Sequence, residues 1–378
     1  MRKIVIKAFP ACLMIASAIV LLASCAKDSY ISKETKPGMQ KLNCQRPPYL
    51  KAGDKVALIS PSYSTPMENV EKTSEVLRGW GLVPVVGGNE GKLDAGKYAG
   101  TKKERASDLR WAFANPEIKA IICNRGGYGA IHLLDEMKLQ DFSANPKWLV
   151  GFSDITTLHG LLQNAGVMSI HGTMSSFLAK GGKDASSLLV RDMLMGQMPR
   201  YEVAAHPQNI IGKARGVLVG GNICTFVPLL GTKADATAYK DIILFIEEVG
   251  ESMHNLDRQL NILKLNGVLD RCRGVVLGEF ADCKQDLDFE SVEQLYHQYF
   301  KEYNIPVLCG FPGGHDTVNL PLVMGAPVTI DVRNDGATLS FDIDGRQNTV
   351  RTADVMKQVN ENALDFEEQP LKSLKDAE

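Results

Sequence analysis

Short, uninterrupted apolar runs alternate with amphipathic stretches through the first half of the chain. Val56-Ala57-Leu58-Ile59 reads as a buried strand, and Val83-Pro84-Val85-Val86, Ala120-Ile121-Ile122-Cys123 and Trp148-Leu149-Val150-Gly151 as further strands. Residues 69–80 and 102–114, and the stretch that follows Trp148 through Gln163, carry helical spacing between or after them. Strands that are apolar on both faces and separated by helices predict a parallel sheet covered on both sides. The periodicity weakens across 181–212, which predicts a connection between two domains. In the second half, Ala214 to Asn222 is glycine-rich and bracketed by short strands. The apolar run 241–246 leads into Glu247-Glu248, 255–266 is helical, and 274–278 and 306–310 are further strands. Strict alternation at 328–332 and 338–342 predicts antiparallel strands at an edge. At ~100–200 residues per domain, the chain divides into an α/β domain at 49–180, a connection at 181–212, a second domain at 213–350 and a C-terminal tail at 351–378, charged and frayed from Asp365 onward.

The N-terminus sets the compartment. Arg2, Lys3 and Lys7 precede an apolar run from Ala8 to Leu22, and small residues follow it. This is the pattern of a secretory signal, too short for a stable membrane anchor. Leu22-Ala23-Ser24-Cys25 resembles a bacterial lipobox, in which Cys25 becomes the lipidated first residue after removal of residues 1–24. Residues 25–48 are polar and proline-containing, as suits a tether holding the body off a membrane. The expectation is an exported lipoprotein, anchored through Cys25 and facing the periplasm. Residues 1–24 hold three basic and no acidic residues, so their removal takes the net charge from −2 to −5. That balance argues against a nucleic-acid partner, which wants a basic patch. The remaining cysteines show neither a Cys-x-x-Cys pair nor metal-ligand spacing, and no metal or other cofactor is expected. Cys272 and Cys283 are left open as a disulfide in an oxidising compartment.

Candidate chemistry lies at strand ends. Ser153 follows the strand Trp148–Gly151, sits two residues after a glycine and opens a helical stretch. A sharp strand-to-helix turn presents a nucleophile, and a helix N-terminus offers free N–H groups to an oxyanion. Ile155 stands where the G-x-S-x-G elbow has its second glycine, and a helix cap by Ser153 or Asp154 fits the same residues. Asn124-Arg125-Gly126-Gly127-Tyr128-Gly129 follows another strand without the spacing of a phosphate or dinucleotide loop. Glu247 ends a very apolar strand, where a carboxylate can orient a histidine or remain an ordinary solvated acid beside Glu248 and Glu251. His315, in a glycine-rich loop, can shuttle protons at neutral pH or be a plain loop histidine. The order serine, glutamate, histidine is that of α/β-hydrolases. All three follow apolar strands, which places a site in a cleft between the domains.

Five segments in order carry a resemblance. They are Arg125-Gly126-Gly127-Tyr128-Gly129, Gly151-Phe152-Ser153-Asp154-Ile155-Thr156, Gly216-x-Leu218-x-Gly220-Gly221-Asn222, Leu256-Asp257-Arg258-x-Leu260 and Gly313-Gly314-His315. With them the chain, over roughly 52–345, resembles the LD-carboxypeptidase family, the muramoyltetrapeptide carboxypeptidases. The resemblance implies Ser153 as nucleophile, Glu247 as triad acid and His315 as base. It implies an oxyanion hole from the N–H groups of Asp154 and of the Gly-Gly-Tyr-Gly loop, assigned to Gly127. It further implies a flavodoxin- or Rossmann-like N-terminal domain, a smaller β-rich C-terminal domain, a homodimer and a murein tetrapeptide that loses its terminal D-alanine. Thr173 stands where the family usually has proline, and many relatives are cytoplasmic. Such a substrate has a terminal carboxylate to be held by a cation. Arg125 is a candidate for this, or for bracing its loop by hydrogen bonding. A microcin C immunity-type peptidase and a non-catalytic cell-wall-binding lipoprotein are the alternatives.

The lipobox has a direct test. Labelled palmitate should enter the wild-type chain in a bacterial host and be absent from a Cys25→Ala variant; equal labelling of both contradicts it.

Overall fold

In a computed structural model, residues 40–367 are described. Cys25 and the signal sequence lie outside the described residues, as does most of the expected tether. Its last part does not hang free. Gln45 donates its N–H to the Gly166 carbonyl at 2.8 Å and accepts from Met168 N–H at 3.0 Å. The Trp148 indole donates to the Pro48 carbonyl at 3.0 Å, and Leu42 and Cys44 are buried.

The first half builds one sheet from β1 (Lys55–Ile59), β2 (Val83–Val86), β3 (Ile118–Cys123), β4 (Trp148–Gly151) and β5 (Ser169–His171). All of these pair in parallel, in the order β5-β4-β3-β1-β2. Helices α1 (Met67–Gly79), α2 (Lys102–Ala114) and α3 (Thr156–Asn164) connect or follow them. The start of α2 is written into its residues: Glu104 N–H donates to Thr101 Oγ1, and Thr101 N–H donates to Glu104 Oε2 at 2.8 Å. That reciprocal pair satisfies two otherwise orphaned donors.

The stretch 181–212 is not a bare connection. It forms α4 (Ala185–Leu194), capped by Asp184, and β6 (Gln197–Ala204), which joins the second sheet. Pro199 and the charged Arg200 and Glu202 obscured this strand, although its alternate residues Pro199, Tyr201 and Val203 are buried.

The second sheet comprises β6, β7 (Gly212–Asn222), β8 (Ile242–Val249), β9 (Cys272–Ala281), β10 (Val307–Leu308), β12 (Pro327–Arg333), β13 (Gly336–Phe341) and β14 (Arg346–Arg351). Its order is β10-β9-β8-β7-β12-β13-β6-β14. The β10-β9-β8-β7 half is parallel, and β7-β12-β13-β6 is antiparallel. The alternating strands β12 and β13 therefore sit inside the sheet, and the edge is taken by β14. Helices α5 (Met253–Leu265) and α6 (Val292–Lys301) belong to the parallel half. Residues 352–367, expected as part of a tail, form α7 (Thr352–Glu367), whose Val355 and Val359 pack on the core at helical spacing. The six described cysteines are unpaired. Cys272 opens β9 and Cys283 lies two residues past its end, so a strand rising ~3.3 Å per residue sets them some 30 Å apart, far beyond disulfide reach.

One short strand crosses between the halves. After His315 the chain enters β11 (Leu322–Met324), which pairs antiparallel with β5 at the edge of the first sheet: Leu322↔His171, Val323↔Ile170, Met324↔Ser169. It then turns at Gly325 into β12. At that turn Gly325 N–H donates to the Leu218 carbonyl at 2.8 Å, and Leu218 N–H donates to the Ala326 carbonyl at 2.9 Å. A second link runs from α3: Gln163 Nε2 donates to the Leu218 carbonyl at 2.9 Å, and Thr156 Oγ1 accepts from Asn222 N–H at 3.2 Å.

The glycine run of β7 is the tightest part of this junction. It is one continuous strand, not a loop between two strands. At Gly220 φ is +113°, and an added Cβ would stand 2.1 Å from the Phe245 carbonyl oxygen. Gly220→Ala should therefore destabilise the protein by about 2–4 kcal/mol. Gly53→Ala, at φ +86° with open space around it, should cost only about 1 kcal/mol. Thermal or denaturant unfolding of the two variants checks the difference, and equal losses would contradict this packing.

Candidate active site

Ser153 sits where β4 ends. Phe152 is extended, and Ser153 then turns to φ +64°, a left-handed conformation rare for a non-glycine residue. One 3₁₀ turn (Ser153–Ile155) follows and leads into α3. The strain is held in place by packing. A Cβ on Gly151 would meet the Ile155 side chain at 2.9 Å, so Ile155 occupies the space that Gly151 leaves. The missing second glycine of the elbow is accounted for by this contact.

The glycine loop after β3 closes over the serine. A Cβ on Gly126 would lie 3.0 Å from Ser153 Cβ and 3.3 Å from its Oγ. Gly127 has φ +107°, and a Cβ there would run into the Tyr63 ring at 2.2 Å. Asp154 ties these pieces together. Its buried carboxylate accepts from Ser62 Oγ at 2.6 Å and from the Ala130 N–H at 2.8 Å. Burial pushes that carboxyl above the usual carboxylate range, against the pull of those two bonds. Its backbone N–H belongs to the first turn of the 3₁₀ segment, where helical N–H groups lack an intrahelical acceptor.

Arg105, not Arg125, braces the loop. Buried Arg105 donates through Nη1 to the Pro61 carbonyl at 2.7 Å and to the Gly129 carbonyl at 2.8 Å. Arg125 is exposed, with its guanidinium 6.0 Å from the Tyr63 ring centroid and no hydrogen bond to the loop. Nothing in the sequence singled out Arg105, a helix residue far from the loop in the chain.

Across the cleft, Glu247 is wholly buried near the end of β8, and its Oε2 lies 2.7 Å from His315 Nδ1. The three acids in this region have separate fates. Glu248 accepts from Asn222 Nδ2 at 2.8 Å and from Cys224 N–H at 2.9 Å, and Glu251 accepts from Asn255 Nδ2 at 2.6 Å. Only Glu247 reaches the histidine. Burial raises its carboxyl pKa, opposed by the His315 hydrogen bond and charge. For His315, burial acts downward, but the Glu247 hydrogen bond and the charges of Glu247 and Glu248 outweigh it, leaving the imidazole above its ordinary value. The pair thus favours a proton at the Nδ1–Oε2 contact.

His315 and Ser153 approach through a ring contact. The imidazole packs edge-on against Phe152, the residue before Ser153, with centroids 4.9 Å apart. Phe152 also contacts Phe177 and the buried His171. No hydrogen bond joins Ser153 to His315 among the described residues. Catalytic contacts are commonly long before substrate binds. The His315 loop is fixed from behind, where Asn319 Oδ1 accepts from Gly314 N–H at 3.0 Å and Ser186 Oγ accepts from Asn319 N–H at 3.0 Å. Among the described residues, no three His, Cys, Asp or Glu side chains are grouped to hold a metal ion.

Known proteins share this arrangement of chain. The family model of the LD-carboxypeptidase N-terminal domain matches residues 56–172, and that of the LD-carboxypeptidase C-terminal domain matches 215–330. The murein tetrapeptide carboxypeptidase of Pseudomonas aeruginosa is 32 % identical over 284 residues, covering 70 % of this chain and 89 % of that protein. The microcin C7 self-immunity protein MccF of Escherichia coli is 26 % identical over 328 residues, covering 77 % of this chain and 94 % of that protein. A crystal structure of muramoyltetrapeptide carboxypeptidase from Oxalobacter formigenes superposes with a TM-score of 0.69 at 24 % identity, covering 77 % of this chain and 99 % of that one, and so shares the fold. On these grounds the chain belongs to the LD-carboxypeptidase family and is a peptidase.

Proposed function

We propose that this protein is a serine-type L,D-carboxypeptidase that removes the terminal D-alanine from murein tetrapeptides. The observation that carries the reading is the Glu247–His315 hydrogen bond, set against the strand end where Ser153 is held in its left-handed turn. Ser153 Oγ attacks the carbonyl of the residue preceding D-alanine and passes its proton to His315 Nε2. Glu247 accepts from His315 Nδ1–H, fixing the tautomer and stabilising the imidazolium. The N–H groups of Asp154 and Gly127 face the oxyanion, where each such donor is worth roughly 3–4 kcal/mol of barrier. The C–N bond breaks as His315 returns the proton to the leaving amine, and water then hydrolyses the acyl ester. Arg125, beside the oxyanion loop, is a contact for the peptide. The chain acts as a homodimeric, exported lipoprotein, held to a membrane through Cys25 and facing the periplasm; the N-terminal sequence supports the export and the anchor, the family resemblance the dimer.

The likeness to MccF over nearly all of that protein favours a second reading, a microcin-immunity-type peptidase. Release of D-alanine from a murein tetrapeptide separates the two, and a folded protein that releases none contradicts the first. Ser153→Ala should lower kcat by roughly 10³-fold or more with the unfolding transition unchanged. Unchanged turnover would remove Ser153 from the mechanism and leave room for a non-catalytic wall-binding role.

The pH profile tests the acid. His315 works as a base only when neutral, so kcat/KM should rise with pH through a pKa above the usual ~6.5 of histidine. In Glu247→Gln the two upward influences of that carboxylate are lost, and burial remains, opposed only by the smaller effect of the Glu248 charge. The acid limb should then move to lower pH, with kcat reduced by about 10²–10⁴-fold. An acid limb at the same pH in wild type and variant would contradict a Glu247-coupled base.

A further inference from the structure

A carboxypeptidase must recognise a free C-terminal carboxylate, and the geometry around His315 limits where it can lie. The same histidine that deprotonates the serine must protonate the leaving amine. The leaving residue therefore lies on the His315 side of Ser153, and the acyl oxygen lies on the opposite side, toward the Gly126–Gly127 loop. The terminal carboxylate is separated from the leaving nitrogen by a single carbon. It must fall within a few ångströms of the groups next to His315, away from Arg125, which precedes the oxyanion loop.

A cavity of about 370 Å³ lies next to the His315 loop. It is walled by Asp316 and Thr317, the two residues after His315, and by Phe177, whose ring packs 5.6 Å from that of Phe152. Its cations are Lys180 and Lys183, both exposed and both without an ion-pair partner among the described residues. The Lys180 ammonium stands 5.0 Å over the Phe177 ring, which turns it toward this part of the cleft. The cavity also holds two acids, each bonded to neutral donors of its own chain neighbours. Asp184 accepts from the Ser187 N–H and hydroxyl at 2.9 and 2.6 Å, and Asp316 accepts from the Thr317 N–H at 2.6 Å. Asn319 adds a buried side chain to the wall and holds the His315 loop through its bond from Gly314 N–H. Two exposed ammonium groups without an ion-pair partner among the described residues, beside the loop that carries the group protonating the leaving amine, suit a carboxylate.

We propose that this cavity receives the terminal carboxylate of the substrate, with Lys180 and Lys183 as its cationic contacts and hence as the determinants of carboxypeptidase over endopeptidase action. The inference rests on His315 acting as proposed above. Binding is measured by calorimetry on the full chain carrying Ser153→Ala, using a murein tetrapeptide and the same peptide with a C-terminal amide. The free acid should bind about tenfold or more tighter than the amide, the size of one charge-assisted hydrogen bond. Adding Lys180→Met and Lys183→Met should erase that preference while leaving amide binding unchanged, and Lys→Arg at both positions should restore it. Equal binding of acid and amide, or a preference that survives in the double Met variant, overturns the assignment. Loss of the preference in Arg125→Met with both lysines intact also overturns it and moves the receptor to the oxyanion side. D-alanine release by the unmodified chain is followed separately. Preference through the lysines without release would uphold the subsite and contradict the proposed reaction.

Discussion

The antiparallel pairing of β11 with β5 is the constraint on which the cleft depends. Glu247 and His315 belong to the second half of the chain and Ser153 to the first. Seven residues after His315, Leu322 pairs with His171, which in turn pairs with Gly151 on β4, two residues before Ser153. Three adjacent strands of one sheet thus fix how far the histidine loop can stand from the serine turn. The Gly325 turn then returns the chain to the second sheet through hydrogen bonds to Leu218. A rigid ladder, with backbone bonds on both sides, holds the two contributions to the site in register.

Around that ladder, close approach replaces large side chains. Gly126 lies against Ser153, Gly151 against Ile155, and Gly314 within 3.0 Å (at its Cβ position) of Glu247 Oε2. Each contact brings backbone or a functional group to where a side chain would otherwise stand. Polar groups that brace these approaches are buried and paired: Asp154 with Ser62 and Ala130, Arg105 with Pro61 and Gly129, Glu248 with Asn222 and Cys224. Removing any one partner would leave a buried charge or donor exposed to an apolar surround, a cost of roughly 1–3 kcal/mol or more. Two buried atoms here, Arg105 Nε and Glu247 Oε1, have no hydrogen-bond partner, while Glu247 Oε2 is bonded to His315.

Much of this was legible in the residues, and the failures have physical causes. The helix at 102–114 is reproduced to the residue because the Thr101–Glu104 capping box is a local signal. The strands that are buried on both faces stood out as apolar runs. The strand β6 did not, since Pro199 and alternating charges look like a linker until its neighbours bury Tyr201. β11 is three residues long, and its partner lies about 150 positions earlier, so no local pattern can announce it. Ser153, Glu247 and His315 were singled out by strand-end position, chain order and resemblance, and the structure joins Glu247 to His315. The resemblance chose Glu247 over Glu248, and side-chain direction along β8 gives the physical reason; the roles of Arg105 and Asn319 needed tertiary contacts.

The central claim is that Ser153 is a nucleophile activated by a histidine that the crossing strand delivers to it. Reaction with a fluorophosphonate, followed by intact mass and peptide mapping, tests this most directly, because the reagent marks only a serine with a base at hand. The account predicts one phosphonate per chain, on Ser153, and strongly slowed labelling in a folded His315→Ala variant. Modification at another residue, or undiminished labelling of Ser153 without the histidine, would contradict it.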